Sequence, residues 1–341
     1  MKNLKYDTII IGAGLAGCNM ALTLHKKGER VLLIGHPNGD RCSSVAAGLM
    51  NPIVPKGIAS TWKRNEVFDL VPGYYRQFEE LLKTELVQPI NILQLMSNDS
   101  MQEEWLNASR KKENHGWVVE KESGIFEITS VYRLDVGLFL NRTKNFFMER
   151  GCFVEMDVNH ADIHCSDLIG IANYEAEKLL FCEGHDHINN PFFNYLPLTI
   201  SSGVIGEYKL EHNLSNNHII RRKKWSIPTG EKTYLVGSTF LSNDFSVSPT
   251  AEERAEIEQD LNLWTESNEL VELKKGLRPT IGDRRPLLGK HPDKSNMFIY
   301  NGLGSKGCSL SALLCPMLAD YMMKGKGLLK DVDISRFDYT A

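Results

Sequence analysis

A chain of 341 residues has room for about two domains with their own cores, and 42% hydrophobic and 24% charged residues give it the balance of a globular rather than a disordered protein. A formal net charge of −4 leaves no global field to recruit nucleic acid, so no such partner is expected. Seven scattered cysteines without C-x-x-C spacing point to reduced thiols and a cytoplasmic location, and the absence of any run of about 18 apolar residues argues against a membrane span.

The first elements are the most informative. An apolar run, Thr8 to Ile11, passes into Gly12-Ala13-Gly14-Leu15-Ala16-Gly17, then into a helix-compatible segment to Lys27 closed by Gly28, then into Val31 to Ile34. That order is strand, glycine turn, helix, strand. Gly12 allows the tight exit, Gly14 lets backbone approach a pyrophosphate and Gly17 lets the helix pack on the sheet, while the helix N-terminus favours the anion. The pattern predicts dinucleotide binding. The acid that usually holds a ribose hydroxyl at the end of the second strand is missing, because Gly35 stands there, followed by His36. His36 or Asp40 is a substitute, or backbone and water serve instead. NAD is therefore the weaker assignment.

Next comes a small-residue loop, Ser43 to Pro52. Ser43 and Ser44 are placed to donate to phosphate, and Ala46, Ala47, Gly48 and Met50 leave backbone bare enough to lie against a flat ligand. Ser60 to Leu82 predicts an amphipathic helix interrupted near Pro72-Gly73, with Leu70 on its apolar side. Short alternating pieces between 85 and 131 predict strands of a second, largely antiparallel layer. Asp135 opens a helix to Arg150 that Gly151 stops. The strand from Phe153, ending at Asp157-Val158, and the strand Lys178 to Cys182, ending at Glu183-Gly184, return to the nucleotide sheet. Residues 196–240 predict further antiparallel strands, 249–264 an acidic helix, and 276–324 a strand, a glycine-rich turn and a last helix. The run Arg221-Arg222-Lys223-Lys224 reads as a solvated edge strand guarded by charge, with Arg221 and Lys223 on the side of Trp225; binding of an extra anionic group by these two is the alternative. His160, His164 and Cys165, or His185 to His187, lack zinc-ligand spacing, so no metal is expected.

Taken together the residues resemble the FAD-dependent oxidoreductases that include D-amino-acid oxidase, glycine oxidase, sarcosine oxidase and D-amino-acid dehydrogenase. The resemblance rests on the opening glycine motif, the Ser43 to Pro52 loop, Leu134-Asp135, Phe181-Cys182-Glu183-Gly184, Gly237-Ser238-Thr239, Gly276-Leu277-Arg278-Pro279-Thr280 and Asn301-Gly302-Leu303-Gly304-Ser305-Lys306-Gly307. It implies an α/β chain with a Rossmann-like FAD-binding domain (1–82, 134–190 and 271–341) and an inserted, mainly antiparallel β substrate domain (83–133 and 191–270). FAD, held without a covalent link, replaces NAD as the expected cofactor.

The resemblance also implies roles. Arg278 falls on the position whose arginine pairs with the substrate carboxylate, a task suited to a planar, always charged fork. Trp225 stands where relatives often carry a substrate-touching tyrosine; an indole shapes a pocket but is no phenolic acid or base. Lys306, in the glycine-rich turn where relatives commonly carry histidine, is placed with the helix after it to stabilise negative charge on the flavin pyrimidine. The expected activity is oxidation of a C–N bond in a small amine or amino acid by hydride transfer to flavin N5, with oxygen or a carrier as acceptor. A 2-hydroxy-acid dehydrogenase, a tRNA-modification oxidoreductase and a non-enzymatic flavin-binding protein are the alternatives.

Overall fold

The computed structural model describes residues 4–37, 42–54, 56–215 and 217–339; Asp40 lies outside them. Five parallel strands form the nucleotide sheet, in the order Phe153–Glu155, Val31–Gly35, Leu4–Ile11, Tyr174–Phe181 and Met297–Asn301. Their interiors are near-continuous apolar runs, as strands covered on both faces require. Antiparallel strands extend the sheet, Leu287–Lys290 beside Met297–Asn301 and Ile169–Ile171 beside the first half of Tyr174–Phe181. Ile11 lies in register with both Ile34 and Phe181, so three strands end together and open a crevice at their carboxyl ends.

Three helices cover one side. Leu15–Lys26 packs against Gly307–Lys324, which packs against Arg64–Leu82. The expected interruption at Pro72 does not occur, and the helix runs unbroken through it. A helix-interior proline costs about 3 kcal/mol, whereas each large apolar side chain buried returns about 1.5–3 kcal/mol. Val67, Phe68, Val71, Tyr74, Tyr75, Phe78 and Leu82 are all buried on that face, so burial outweighs the proline. Leu70, expected among them, faces solvent. Asp135 caps the helix Val136–Met148 by accepting from the Leu138 N–H, and Thr250 and Glu253 form a reciprocal cap on Ala251–Leu261.

The second sheet runs Leu198–Leu210, Thr233–Gly237, Trp225–Gly230, His218–Arg221, Asn91–Leu95, Ile125–Ile128 and Val118–Glu122. Its pairs are antiparallel except Asn91–Leu95 with His218–Arg221. Three features depart from the sequence reading. A helix, Asp99–Ser109, capped by Asn98 and seated by buried Trp105, interrupts the strands between 85 and 131; its polar exposed face hid it. Residues 271–281, assigned above to the FAD-binding domain, belong to the strand Asn268–Ile281, which pairs along the length of Leu198–Leu210. The strand ending at Arg221 is no edge. It lies between Trp225–Gly230 and Asn91–Leu95, and Arg221 is 9% exposed. Among the described residues no helix is long and apolar enough to cross a membrane.

Candidate active site between the two sheets

A cavity of about 820 Å3 lies between the carboxyl ends of the parallel strands, the loop after Cys42 and one face of the second sheet. That volume is in the upper part of the range for small-molecule sites. Its floor is the glycine turn. Gly12 has φ +102°, and a Cβ there would lie 2.3 Å from the Cys182 carbonyl oxygen; one on Gly17 would lie 1.8 Å from the Gly12 carbonyl oxygen. Strand, turn and helix thus approach as closely as bare backbone permits. The Leu15 N–H, at the helix start, donates to Ser43 Oγ at 2.9 Å, and that helix has no acidic residue in its first turn. The helix Gly307–Lys324 also begins on the cavity with no acid in its first turn. Two positive helix ends, a bare glycine cradle and a hydroxyl fit a diphosphate-bearing dinucleotide.

At the far end of the second strand the missing acid has a packing reason. A Cβ on Gly35 would stand 3.1 Å from two carbons of the Phe153 ring and 3.3 Å from the Ala13 Cβ. Beyond it, His36 Nε2 and Asp157 Oδ1 face each other at 3.6 Å on the cavity wall, the histidine partly exposed and the aspartate exposed. This pair is the polar group available where a ribose acid would stand. Nearby, Glu183 is held from both sides, by His160 Nε2 at 2.6 Å and by the Asn190 amide at 2.7 Å. The hydrogen bond to Glu183 raises the His160 pKa against the opposing effect of burial. Asn301 donates to the Gly184 carbonyl at 2.9 Å, tying the last parallel strand to this corner.

The opposite wall is built differently. Arg278 Nη1 donates to the Ser202 carbonyl at 3.0 Å, and the guanidinium crosses the face of Gly203, where a Cβ would be 2.1 Å from Nη2. Trp225 lies over Gly237, its ring 3.3 Å from the position of a Cβ there. Lys306, at the N-terminus of the last helix, has its ammonium pKa lowered to about 8 by burial, and burial raises the Cys42 thiol to about 11. Of the residues the second sheet gives the cavity, three are cations (Arg221, Lys223 and Arg278) and none is a carboxylate or a histidine. This wall is made for an anion.

The structure thus brings Arg278, Trp225 and Lys306 to one cavity, together with Gly12, Gly14, Leu15, Ala16, Gly35, His36, Ser43, Ala46, Ala47, Gly48, Asp157, Val158, Glu183, Gly184, Leu303, Gly304, Ser305 and Gly307. Ala13, Gly17, Ser44, Met50 and Gly302 do not line it. Ala13 and Met50 are core residues, Gly17 packs under Gly12, and Gly302 sits against Ile281 and Leu287. Residues that the sequence offers no reason to place there include Asn51, His160, Gly203, Ile205 and Asn301. The alternation of Arg221, Lys223 and Trp225 is the sequence signal for the anion-binding alternative, and pairing of the Arg221 strand on both sides removes the edge reading that stood against it. Among the described residues no His, Cys, Asp and Glu group could hold a metal.

A parallel dinucleotide-binding sheet whose strand ends are roofed by an antiparallel sheet rich in cations defines a two-layered, dinucleotide-dependent enzyme. The chain belongs to the FAD dependent oxidoreductase family, whose model matches residues 7–321. FAD is accordingly its cofactor and redox chemistry its activity. Similar solved structures include a glycine oxidase from Bacillus cereus ATCC 14579 (TM-score 0.80, 17% identity, covering 94% of this chain and 96% of that one). An iminodiacetate oxidase from Chelativorans sp. BNC1 (0.77, 18%, 97% and 98%) and a glycine oxidase from Geobacillus kaustophilus (0.76, 18%, 99% and 99%) are also similar. At these identities the likeness is one of fold.

Proposed function

We propose that this flavoprotein oxidises a C–N bond of a small carboxylate-bearing amine or amino acid. The observation that carries the reading is Arg278, a largely buried guanidinium open to the cavity, with a carbonyl partner and no ion pair among the described residues. Burying an unpaired cation is costly unless a ligand completes it, and a guanidinium fork matches a carboxylate. The flavin, when bound, supplies the hydride-accepting centre. The protein's part is to fix the carboxylate on Arg278, to wall the substrate with Trp225 and Ile205, and to present the Lys306 cation to negative charge. The glycine oxidase and iminodiacetate oxidase folds support the C–N assignment.

The amine reading is favoured over a 2-hydroxy acid by the wall that carries Arg278. An alcohol must lose its hydroxyl proton to a base, whereas an amine that arrives neutral needs none, and this wall offers no carboxylate or histidine. The test is anaerobic mixing of the purified holoenzyme with amino acids and with 2-hydroxy acids. Bleaching of the flavin absorbance by amino acids is expected; bleaching by hydroxy acids alone overturns the reading.

A further inference from the structure

We propose that the cavity contains a second anion subsite, formed by Arg221 with Lys223 at its mouth, so that the substrate is an amino acid carrying a second carboxylate besides the one on Arg278. The proposal rests on the reading that Arg278 takes the first carboxylate. Arg221 is 9% exposed, lines the cavity, and has no hydrogen-bond partner for Nη1 and no ion pair among the described residues. The carboxylate that acts on it is Asp260, one of whose oxygens accepts from the Lys224 N–H at 2.9 Å while Oδ1 has no hydrogen-bond partner. Asp260 supplies opposing charge, yet the Nη1 donor is left unsatisfied, and an anion in the cavity would complete it.

The sheet register shows what that ligand must span. Arg221 pairs directly with Trp225, Trp225 with Gly237, and Gly237 with Ile205, so these four lie in one row on one face. Gly203, which carries the Arg278 guanidinium across it, is two residues from Ile205 on the same strand and face. Three strand spacings, about 14 Å of backbone, separate the strand of Arg221 from that of Gly203. Because the Arg278 guanidinium already lies over Gly203, only the reach of the Arg221 side chain shortens the gap between the two guanidinium groups. Between them lies the Trp225 indole, an apolar surface for the methylenes of a connecting chain. A cation, an indole and a second cation in a row suit a dicarboxylate with an aliphatic linker. Lys223 is exposed at the rim and adds charge where such an acid enters.

The test is equilibrium binding of unreactive acids to the holoenzyme by calorimetry, with glutarate and adipate compared with butyrate and hexanoate. The dicarboxylates should bind at least about tenfold more tightly than monocarboxylates of similar length, as one added charge-assisted pair implies. In Arg221→Met that preference should vanish while monocarboxylate affinity is unchanged; Arg221→Lys should keep part of it. Equal binding of both series to the wild-type protein overturns the second subsite and leaves the Arg278 reading standing, whatever the variants do. A preference that survives intact in Arg221→Met also overturns it. Failure of both series to bind overturns the two readings together.

Discussion

The Arg278 guanidinium occupies the space that a side chain on Gly203 would fill, with Nη2 2.1 Å from the position of a Cβ there. The two residues sit on paired strands, Ser201 being the direct partner of Arg278, so the arginine leans along its neighbour rather than standing over its own partner. Gly203→Ala should therefore expel the guanidinium without disturbing the nucleotide sheet. We expect kcat/KM to fall by about 100-fold, the scale of an ångström-level misplacement, with FAD content retained. Turnover beside flavin absorbance per protein decides it, and near wild-type turnover would separate Gly203 from the site.

Arg278→Lys keeps the charge and loses the fork. A carboxylate held at one point lets the reacting carbon drift, so kcat/KM should again fall by about 100-fold while FAD remains bound. Steady-state kinetics with the best carboxylate substrate, set against its amide, provides the check. The amide should be a poor substrate for wild-type protein and should lose little further in the variant.

Gly35→Asp would place an acid where dinucleotide folds usually have one, yet it should not strengthen cofactor binding. The Phe153 ring is 3.1 Å from the new Cβ, so the substitution overpacks the sheet end and should cost about 1–3 kcal/mol. A lower denaturation midpoint with unimproved FAD affinity is the expected outcome, read by urea titration and by fluorescence of released flavin.

Lys306 should make anion binding at the flavin depend on pH. Burial holds its ammonium near 8 rather than 10.5, so the cation is present below about 8 and is lost above it. Affinity for sulfite, whose flavin adduct is anionic, should weaken as pH rises past that value, and a bound anion will move the transition upward. Lys306→Met should bind sulfite weakly at every pH, flatten this dependence and lower the flavin potential by some tens of millivolts. Spectral sulfite titrations from about pH 6 to about pH 10, roughly two pH units either side of that value, give the measurement.

The His160 and Glu183 pair should contribute to stability on the acid side of neutrality. Glu183 raises the His160 pKa, so the folded state holds that proton more tightly than the unfolded chain does. The contribution is complete below the ordinary histidine value and is lost as pH rises through the raised one. Glu183→Gln should cost about 1–2 kcal/mol at low pH and less in mild alkali, which thermal melts of both proteins as a function of pH will show.

Much of this molecule is written in local sequence. The strand, glycine turn, helix and strand from Leu4 to Gly35 follow from residues within 32 positions of one another, and the Asp135 cap needs only the N–H three residues on. Arg278 was legible through the motif Gly276-Leu277-Arg278-Pro279, which the chain shares with the family it resembles, and not through any local sign of the strand that carries it. The rest depends on which distant segments come to lie side by side. Arg221 is buried only because Asn91–Leu95 pairs with the open side of its strand, and a charged run carries no mark of that partner. Gly203 matters only because Arg278, 75 positions later, crosses it, and Gly35 is barred from bearing an acid only by Phe153. Periodicity and turn chemistry act over a few residues and can be read in order along the chain, whereas burial of a charge is set by the element that packs over it, which tertiary structure alone supplies.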